Sequence, residues 1–176
     1  MHSGKGFYAR PLFNKLLELD PLAPINHMIL GALELLDGKY NTAIKHLIRA
    51  HELEHDNPLF RYWYAKCHAY NNNYKEAYRL FDLIEKDTPQ ALFNKLGRFF
   101  KYTLQGKDEK ALSVVTEDFK KTAKEDELYP IWMAESYALI HEYNEAIDWI
   151  EWGVDFGFIH YQWLSEINPF LENIRG

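Results

Sequence analysis

The chain has 176 residues, enough for one domain with its own hydrophobic core, and 16% of them are aromatic. Its 20 basic and 26 acidic residues give a net charge of -6, which argues against general binding to nucleic acid or to an anionic membrane surface. The one cysteine, Cys67, excludes an internal disulfide and fits a reducing compartment. No apolar run approaches the roughly 20 residues that cross a bilayer, so we expect a cytoplasmic protein.

One short pattern recurs along the chain. It starts at Asp37 with the letters DGKYNTAI and returns as NYKEAY from Asn73, GKDEKAL from Gly106 and EYNEAI from Glu142, while a degenerate copy, GKGFYA, starts at Gly4. The alanines of these copies stand at positions 9, 43, 77, 111 and 146, so the period is 34 or 35 residues. A fixed period of this size predicts structural repeats that stack on one another.

Half of a repeat, residues 6–20, comes first. The apolar residues between Phe7 and Leu19 have helical spacing, and Asp20-Pro21 ends the helix. This segment has the pattern of the second helix of a pair whose first helix is missing. We therefore expect the chain to be a fragment of a longer protein.

Four full repeats follow, each predicted as a helix, a tight turn and a second helix. In the first, Gly38 suits the left-handed turn that closes a helix, and Asp37 or Asn41 caps the next helix. Asn57-Pro58 and Thr88-Pro89 mark the starts of the second and third repeats. The repeats and their helices are 24–56 (Ile25–Leu36, Thr42–Leu53), 57–87 (Leu59–Tyr70, Lys75–Ile84), 88–122 (Gln90–Leu104, Asp108–Lys121) and 125–154 (Glu125–Ile140, Asn144–Gly153).

The final segment, residues 155–176, breaks the period and is rich in aromatic side chains. Asn168-Pro169 has the pattern of a helix cap and first turn, so we predict two short helices that lie over the fourth repeat. Terminal repeats need such a cover, because their outer face has no neighbouring repeat.

The repeats resemble the tetratricopeptide repeat, whose pattern is W-x2-L-G-x2-Y followed by A-x3-F and P. The third repeat matches best, after a two-residue insertion before Gly106. The matching positions are Phe93, Leu96, Gly97, Phe100, Ala111 and Val115 in that repeat; His27, Leu30, Gly31, Glu34, Ala43 and Leu47 in the first; Arg61, Tyr64, Ala65, His68, Ala77, Phe81 and Pro89 in the second; and Met133, Ala134, Tyr137, Ala146 and Ile150 in the fourth.

This resemblance covers about Gly4 to Gly153 and implies an all-α fold, a right-handed superhelical stack of antiparallel helix pairs. Small residues, such as Gly31 and Gly97, are expected to let the helices approach closely. The aromatic ending around Asn168 also resembles the ends of repeat regions in larger bacterial regulatory proteins.

Members of this family usually bind a peptide or a helix in the concave groove lined by the first helix of each pair. The resemblance implies groove residues that are apolar at one end and basic in the middle. They are Met28, Leu35, Tyr62, Lys66, Tyr70, Asn94, Arg98, Lys101, Ile131 and Glu135. Lys66, Arg98 and Lys101 would attract an acidic segment or a terminal carboxylate. The alternative is that these charges are solvated on helix surfaces.

The family also includes a clamp for chaperone C-termini, built from a set of Lys, Asn and Arg residues. Met28, Ala32 and Trp63 stand where several of those polar residues belong. We therefore do not expect that specific function here.

His51 to His55 match H-E-x-x-H, the zinc protease motif, in which two histidines bind zinc and the glutamate acts as a general base. The match lies at the end of a predicted helix, and no further motif supplies a third ligand. A histidine also suits the negative end of a helix dipole. We therefore predict no catalytic site, no metal and no cofactor, and keep a zinc hydrolase only as a remote alternative.

Two further features have structural interpretations. Cys67 stands among large side chains in a predicted helix, which favours a buried thiol. Four tryptophans, at positions 132, 149, 152 and 163, are expected to pack the fourth repeat and its cover. An exposed aromatic patch there would instead indicate a second contact surface, including one for self-association.

The function predicted from the sequence is protein binding without catalysis. The partner is a polypeptide or helix held in the groove, with no role for nucleic acid or membrane. The alternative function is a regulatory or sensor domain of a larger signalling or transcription-regulating protein.

Overall fold

The computed structural model describes residues 6–87 and 91–175, and every regular element in these two ranges is helical. The expected start of the third repeat at Thr88-Pro89 and the degenerate copy's first residues, Gly4 and Lys5, lie outside them. The helices are α1 (Gly6–Leu19), α2 (Pro24–Leu36), α3 (Tyr40–Leu53), α4 (Pro58–Tyr70), α5 (Tyr74–Asp87), α6 (Leu92–Leu104), α7 (Asp108–Leu112), α8 (Glu117–Ala123), α9 (Tyr129–Leu139), α10 (Tyr143–Phe156), the π-helical turn α11 (Trp163–Ile167) and the 3-10 helix α12 (Pro169–Ile174).

Consecutive helices pack as pairs, and each pair packs on the next. The most extensive contacts are between α2 and α3, α4 and α5, and α9 and α10, while α3 contacts α4 and α5 contacts α6. The first helices α4, α6 and α9 also contact one another along the inside of the stack. The predicted all-α stack of helix pairs, a tetratricopeptide-like solenoid, is thus confirmed.

A residue with left-handed backbone closes the turn inside each pair. Gly38, Asn72, Gly106 and His141 have φ values of 74°, 58°, 63° and 63°. Glycine adopts this conformation without strain, and asparagine and histidine adopt it more readily than most other residues. The turn therefore recurs with the same period as the alanines, and the left-handed turn predicted at Gly38 is confirmed.

The caps are partly as predicted. Asn57 Oδ1 accepts a hydrogen bond from the Leu59 amide at 3.0 Å, as expected for a side-chain cap. The prediction that Asp37 or Asn41 caps the helix after Gly38 is wrong, because Lys39 holds that position without a side-chain bond. Asn41 instead accepts a hydrogen bond from Asn71 Nδ2 at 3.1 Å, joining two neighbouring turns.

The third repeat departs most from its predicted helices. The second helix, expected over 108–121, is divided into α7 and α8 by residues 113–116. Val114, Val115 and Thr116 are β-branched, and the Thr116 hydroxyl accepts a hydrogen bond from the Phe119 amide at 3.2 Å, which starts a new helix. The first helix of the fourth repeat begins at Tyr129 rather than Glu125.

Small residues sit where second helices cross first helices. A Cβ atom added to Gly31 would lie 2.6 Å from Leu47 Cγ, and one added to Gly97 would lie 2.9 Å from Phe81 Cδ1. Ala43 and Ala77 of the recurring pattern are fully buried. The predicted role of small residues in close helix approach is confirmed. Among the described residues, no helix has the length and apolar character needed to span a membrane.

We predict that Gly31→Ala destabilises the protein although alanine favours helix. The new methyl group would lie 2.6 Å from Leu47 Cγ and 3.3 Å from the Ala43 carbonyl oxygen, and Leu47 is fully buried. The expected loss in the free energy of unfolding is about 1–3 kcal/mol, measured by urea denaturation. Lys45→Ala, at an exposed position of α3, is the control and should change stability by less than about 0.5 kcal/mol. A stabilised Gly31→Ala variant would contradict the close packing of α2 on α3.

Candidate functional site

The concave side of the stack contains the residues predicted to line the groove, and it is filled. Of these ten residues, nine are buried, and Arg98 alone is half-exposed. The buried ones are Met28, Leu35, Tyr62, Lys66, Tyr70, Asn94, Lys101, Ile131 and Glu135. These nine side chains therefore do not form an open surface in the structure.

The charge of Lys66 is neutralised inside the protein. Its ammonium group forms a salt bridge with Glu135, and both side chains are fully buried. The same nitrogen lies 3.3 Å from the centre of the Phe100 ring. Burial lowers the pKa of Lys66 to about 8, although Glu135 opposes that shift. The carboxylate that was expected from a partner is thus supplied by α9 of the same chain.

Glu135 connects three parts of the fold. Besides the Lys66 salt bridge, its Oε1 accepts hydrogen bonds from the Tyr70 hydroxyl and from Asn168 Nδ2, both at 2.6 Å. Lys66 and Tyr70 belong to α4, and Asn168 lies between α11 and α12. A carboxylate buried without such partners would be very costly, and these three donors satisfy that of Glu135 in the interior.

The C-terminal segment, defined here as residues 158–175, enters the concave side. The Phe170 ring lies 5.1 Å from that of Tyr70 and 5.0 Å from that of Phe100, and Trp163 packs edge-on against Tyr70 at 5.1 Å. On the side of the first repeat, the Ile167 carbonyl accepts a hydrogen bond from the Tyr40 hydroxyl at 3.3 Å. The segment thus packs on the fourth repeat, over which it was predicted to lie, and also reaches as far as the first.

The C-terminal segment also has its own internal order. Asn168 Oδ1 caps the Phe170 amide at 3.0 Å, which confirms the predicted cap at Asn168-Pro169. The Arg175 guanidinium donates to the carbonyl groups of Leu164, Glu166 and Asn168. These bonds fold the segment into a compact plug that sequence periodicity does not indicate.

The remaining basic candidates face α5 rather than the groove. Lys101 Nζ lies 2.6 Å from Asp82 Oδ1 and 2.8 Å from Glu85 Oε2, and Arg98 Nε lies 3.4 Å from Glu85 Oε1. Burial alone would lower the pKa of Lys101, but the hydrogen bonds and charges of Asp82 and Glu85 together outweigh it, and the pKa is raised. The two cations therefore join neighbouring repeats instead of forming the basic middle of a groove.

The other candidates of the concave side are packing residues. The Tyr62 ring lies 4.7 Å from that of Trp132 and 5.6 Å from that of Phe93, so α4 and α9 meet directly. Asn94 Nδ2 donates to the Ile84 carbonyl at 3.3 Å. Met28, Leu35 and Ile131 are buried in the apolar core.

The H-E-x-x-H match does not form a metal site. Helix α3 ends at Leu53, so His51 lies in its last turn while His55 lies beyond it. His51 packs against the Tyr64 ring at 5.8 Å, and His55 is exposed beside Asp56 at 3.1 Å. Among the described residues, no group of three or more His, Cys, Asp or Glu side chains has a metal-binding arrangement.

Cys67 and three tryptophans are buried as predicted. Burial raises the pKa of Cys67 to about 12, and its Sγ lies 3.6 Å from the Tyr40 carbonyl oxygen. The tryptophans at 132, 149 and 163 are in the core, but Trp152 is 41% exposed. Trp152, expected to pack the fourth repeat and its cover with the others, is thus only partly covered, and Lys124 Nζ lies 4.3 Å from the centre of its ring.

Removal of the Glu135 carboxylate should be severely destabilising. We expect Glu135→Leu to lower the free energy of unfolding at pH 7 by about 3–5 kcal/mol, because Lys66 is then buried without its partner. The double variant Lys66→Met/Glu135→Leu should lose less than Glu135→Leu alone, although it removes more polar atoms.

Urea denaturation of both variants measures this difference. Glu76→Ala, which removes an exposed pair with Arg79, is the control and should cost less than about 1 kcal/mol. A Glu135→Leu loss as small as that of the control would show that Glu135 is not a buried, paired carboxylate.

Comparisons with known proteins agree with this geometry. Residues 34–97 match the family model of the tetratricopeptide repeat. The crystal structure of MamA matches with a TM-score of 0.51 and 15% sequence identity, over 81% of this chain and 83% of that one, which shows a shared fold and no more. No curated protein matches the sequence. Residues 34–97 are therefore similar to the tetratricopeptide repeat, within a helical repeat fold that is shared with MamA over 81% of the chain.

Proposed function

We propose that this chain is a non-catalytic protein-binding module whose partners bind the outside of the stack while the C-terminal segment fills the concave side. Tetratricopeptide repeats generally mediate protein–protein interactions and serve as scaffolds, which supports the general part of this proposal. The observation that carries the specific part is the position of Asn168 and Phe170, which contact Glu135 and Phe100 inside the stack.

The energy needed to empty the concave side supports an outer binding surface. Trp163, Phe170 and Leu171 are almost completely buried, and exposing them would cost about 5–9 kcal/mol in all. An acidic peptide attracted to Lys66 would have to meet that cost and also separate Lys66 from Glu135. Binding of an acidic segment in the groove remains a prediction that requires the C-terminal segment to leave.

A preformed surface also suits a scaffold. The second helices α3, α5 and α10 carry exposed side chains on the outside of the stack, and the interior behind them is continuous. A rigid surface spends little conformational entropy when it binds, so modest contact areas give useful affinity. The chain then acts by holding a partner rather than by transforming it.

Selection from a random peptide library displayed on phage tests the proposed function. The full chain is the immobilised target, and each selected peptide is then measured against the wild type, Phe170→Ala and the control Glu172→Ala, an exposed position of the same segment. We expect peptides whose Kd differs by less than about twofold among the three proteins, because an outer site does not depend on the plug.

Two outcomes would contradict the proposal. Peptides that bind Phe170→Ala at least about tenfold more tightly than the wild type would place the binding site in the concave side, since the variant raises the open population. Failure to select any peptide that binds the folded chain would argue against a protein-binding function altogether.

A further inference from the structure

The outer face of α10 has the composition of a helix-binding surface. This helix contains the carboxylates of Glu145, Asp148, Glu151 and Asp155 and no basic residue. All four are exposed, and in the described part of the chain Asp148, Glu151 and Asp155 take part in no salt bridge. Lys120 and Lys124 line a pocket with Glu145 and Asp148, so the acidic surplus of this face rests on Glu151 and Asp155.

An apolar stripe runs beside these carboxylates. Ile147, Ile150 and Val154 follow the spacing i, i+3, i+7, and Asp148, Glu151 and Asp155 form a parallel stripe one residue further along. Ile147 is 45% exposed and Val154 is 40% exposed, so the stripe is accessible. The apolar surface continues into a cavity of about 220 Å³ lined by Val154, Phe158, Ile159, Tyr161 and Leu164.

The equivalent positions of α5 contact the next helix of the stack, α6. The recurring alanines align Ala146 of α10 with Ala77 of α5, which places Ile147, Ile150, Glu151 and Val154 at the positions of Tyr78, Phe81, Asp82 and Glu85. Each of these four α5 residues contacts α6: Tyr78 bonds the Leu104 carbonyl, Phe81 packs on Phe100, Asp82 binds Lys101, and Glu85 binds Lys101 and Arg98.

No helix of the described chain takes the corresponding place on α10. After Phe156 the backbone turns at Gly157, where φ is 130°, and Phe158 is already buried as the chain enters the concave side. Helix α10 packs mainly against α9, its partner within the pair. The surface that receives the next first helix in the earlier repeats is therefore left open at this end.

We propose that this face of α10, defined by Ile147, Ile150, Glu151, Val154 and Asp155, binds an amphipathic helix of another protein that carries lysine or arginine beside its apolar stripe. The proposal rests on the proposed protein-binding function and names the surface and the chemistry of the partner. The apolar stripe of that helix packs on Ile147 and Val154, and its cations pair with Glu151 and Asp155, as Lys101 pairs with Asp82 on α5.

A second copy of this chain does not fit the face as well. Two such faces would bring Glu151 and Asp155 of each copy together, and α10 carries no basic residue to compensate them. The exposed stripe of α1 contains Leu12 and Leu19 but only one unpaired cation, Lys15, next to the carboxylate of Glu18. Charge complementarity therefore favours a basic partner helix over self-association.

Fluorescence anisotropy with a labelled synthetic helix tests the proposal on the full chain. The probe has about 20 residues, with leucines at i, i+3, i+4 and i+7 and lysines flanking them. A control peptide has glutamate in place of every lysine. We expect the lysine helix to bind at least about tenfold more tightly than the glutamate helix at low salt, with a difference that shrinks as salt is raised.

Three variants locate the site. Glu151→Lys and Val154→Asp should each weaken the lysine helix at least about tenfold, whereas Trp152→Ala should change its Kd less than about twofold. Trp152 is the matched control, since it is as exposed as Val154 on the same helix but lies on its other flank beside Lys124. Circular dichroism and thermal melting confirm that each exposed substitution leaves the fold intact.

Several results would overturn the inference. They are equal binding of the lysine and glutamate helices, unchanged binding by Glu151→Lys and Val154→Asp, or no binding of either helix. A concentration-dependent dimer in sedimentation that Val154→Asp disrupts would assign the face to a second copy instead. Phage-selected peptides that bind the folded chain, together with a lysine helix that does not bind, would overturn this inference alone, whereas an empty selection would overturn the proposed function.

Discussion

The salt bridge between Lys66 and Glu135 is the contact on which the interior of this stack depends. A buried carboxylate is tolerated only where its partners satisfy it, and Glu135 has three, from α4 and from the C-terminal segment. The salt bridge joins the second repeat to the fourth, Asn168 attaches the C-terminal segment to the fourth, and Phe170 packs on Tyr70 of the second. Nine of the ten residues predicted to line a groove are thus part of the core.

One stacking rule accounts for both the filled interior and the open end. In each pair, the second helix presents a face that receives the first helix of the next pair, as α5 receives α6 through Asp82 and Glu85. The chain follows this rule until Phe156 and then sends its last residues inward. These last residues complete the interior. No following first helix therefore packs on the outer face of α10.

The repeats were predictable from the sequence because each recurring residue acts locally, within one turn or one helix. The alanines at 43, 77 and 111, Gly38 in its left-handed turn and the cap at Asn168 were all found where their residue types indicate. The orientation of the groove side chains was not predictable in the same way. Lys66 is buried because it pairs with Glu135, which lies 69 residues away in the sequence. No spacing of residues within either helix reveals such a pair. The division of the third repeat at Thr116 was missed because β-branched residues are only weak helix breakers.

Hydrogen exchange followed by mass spectrometry tests whether the C-terminal segment is an integral part of the interior. The amides of Asn168 and Leu171 are bonded inside the segment, and Asn168 is held by Glu135. If the segment is an integral part of the core, peptides covering residues 158–175 exchange as slowly as those of α4 and α9, through global unfolding. Rapid exchange of that segment, with α4 and α9 still protected, would contradict the account and show a groove that opens freely.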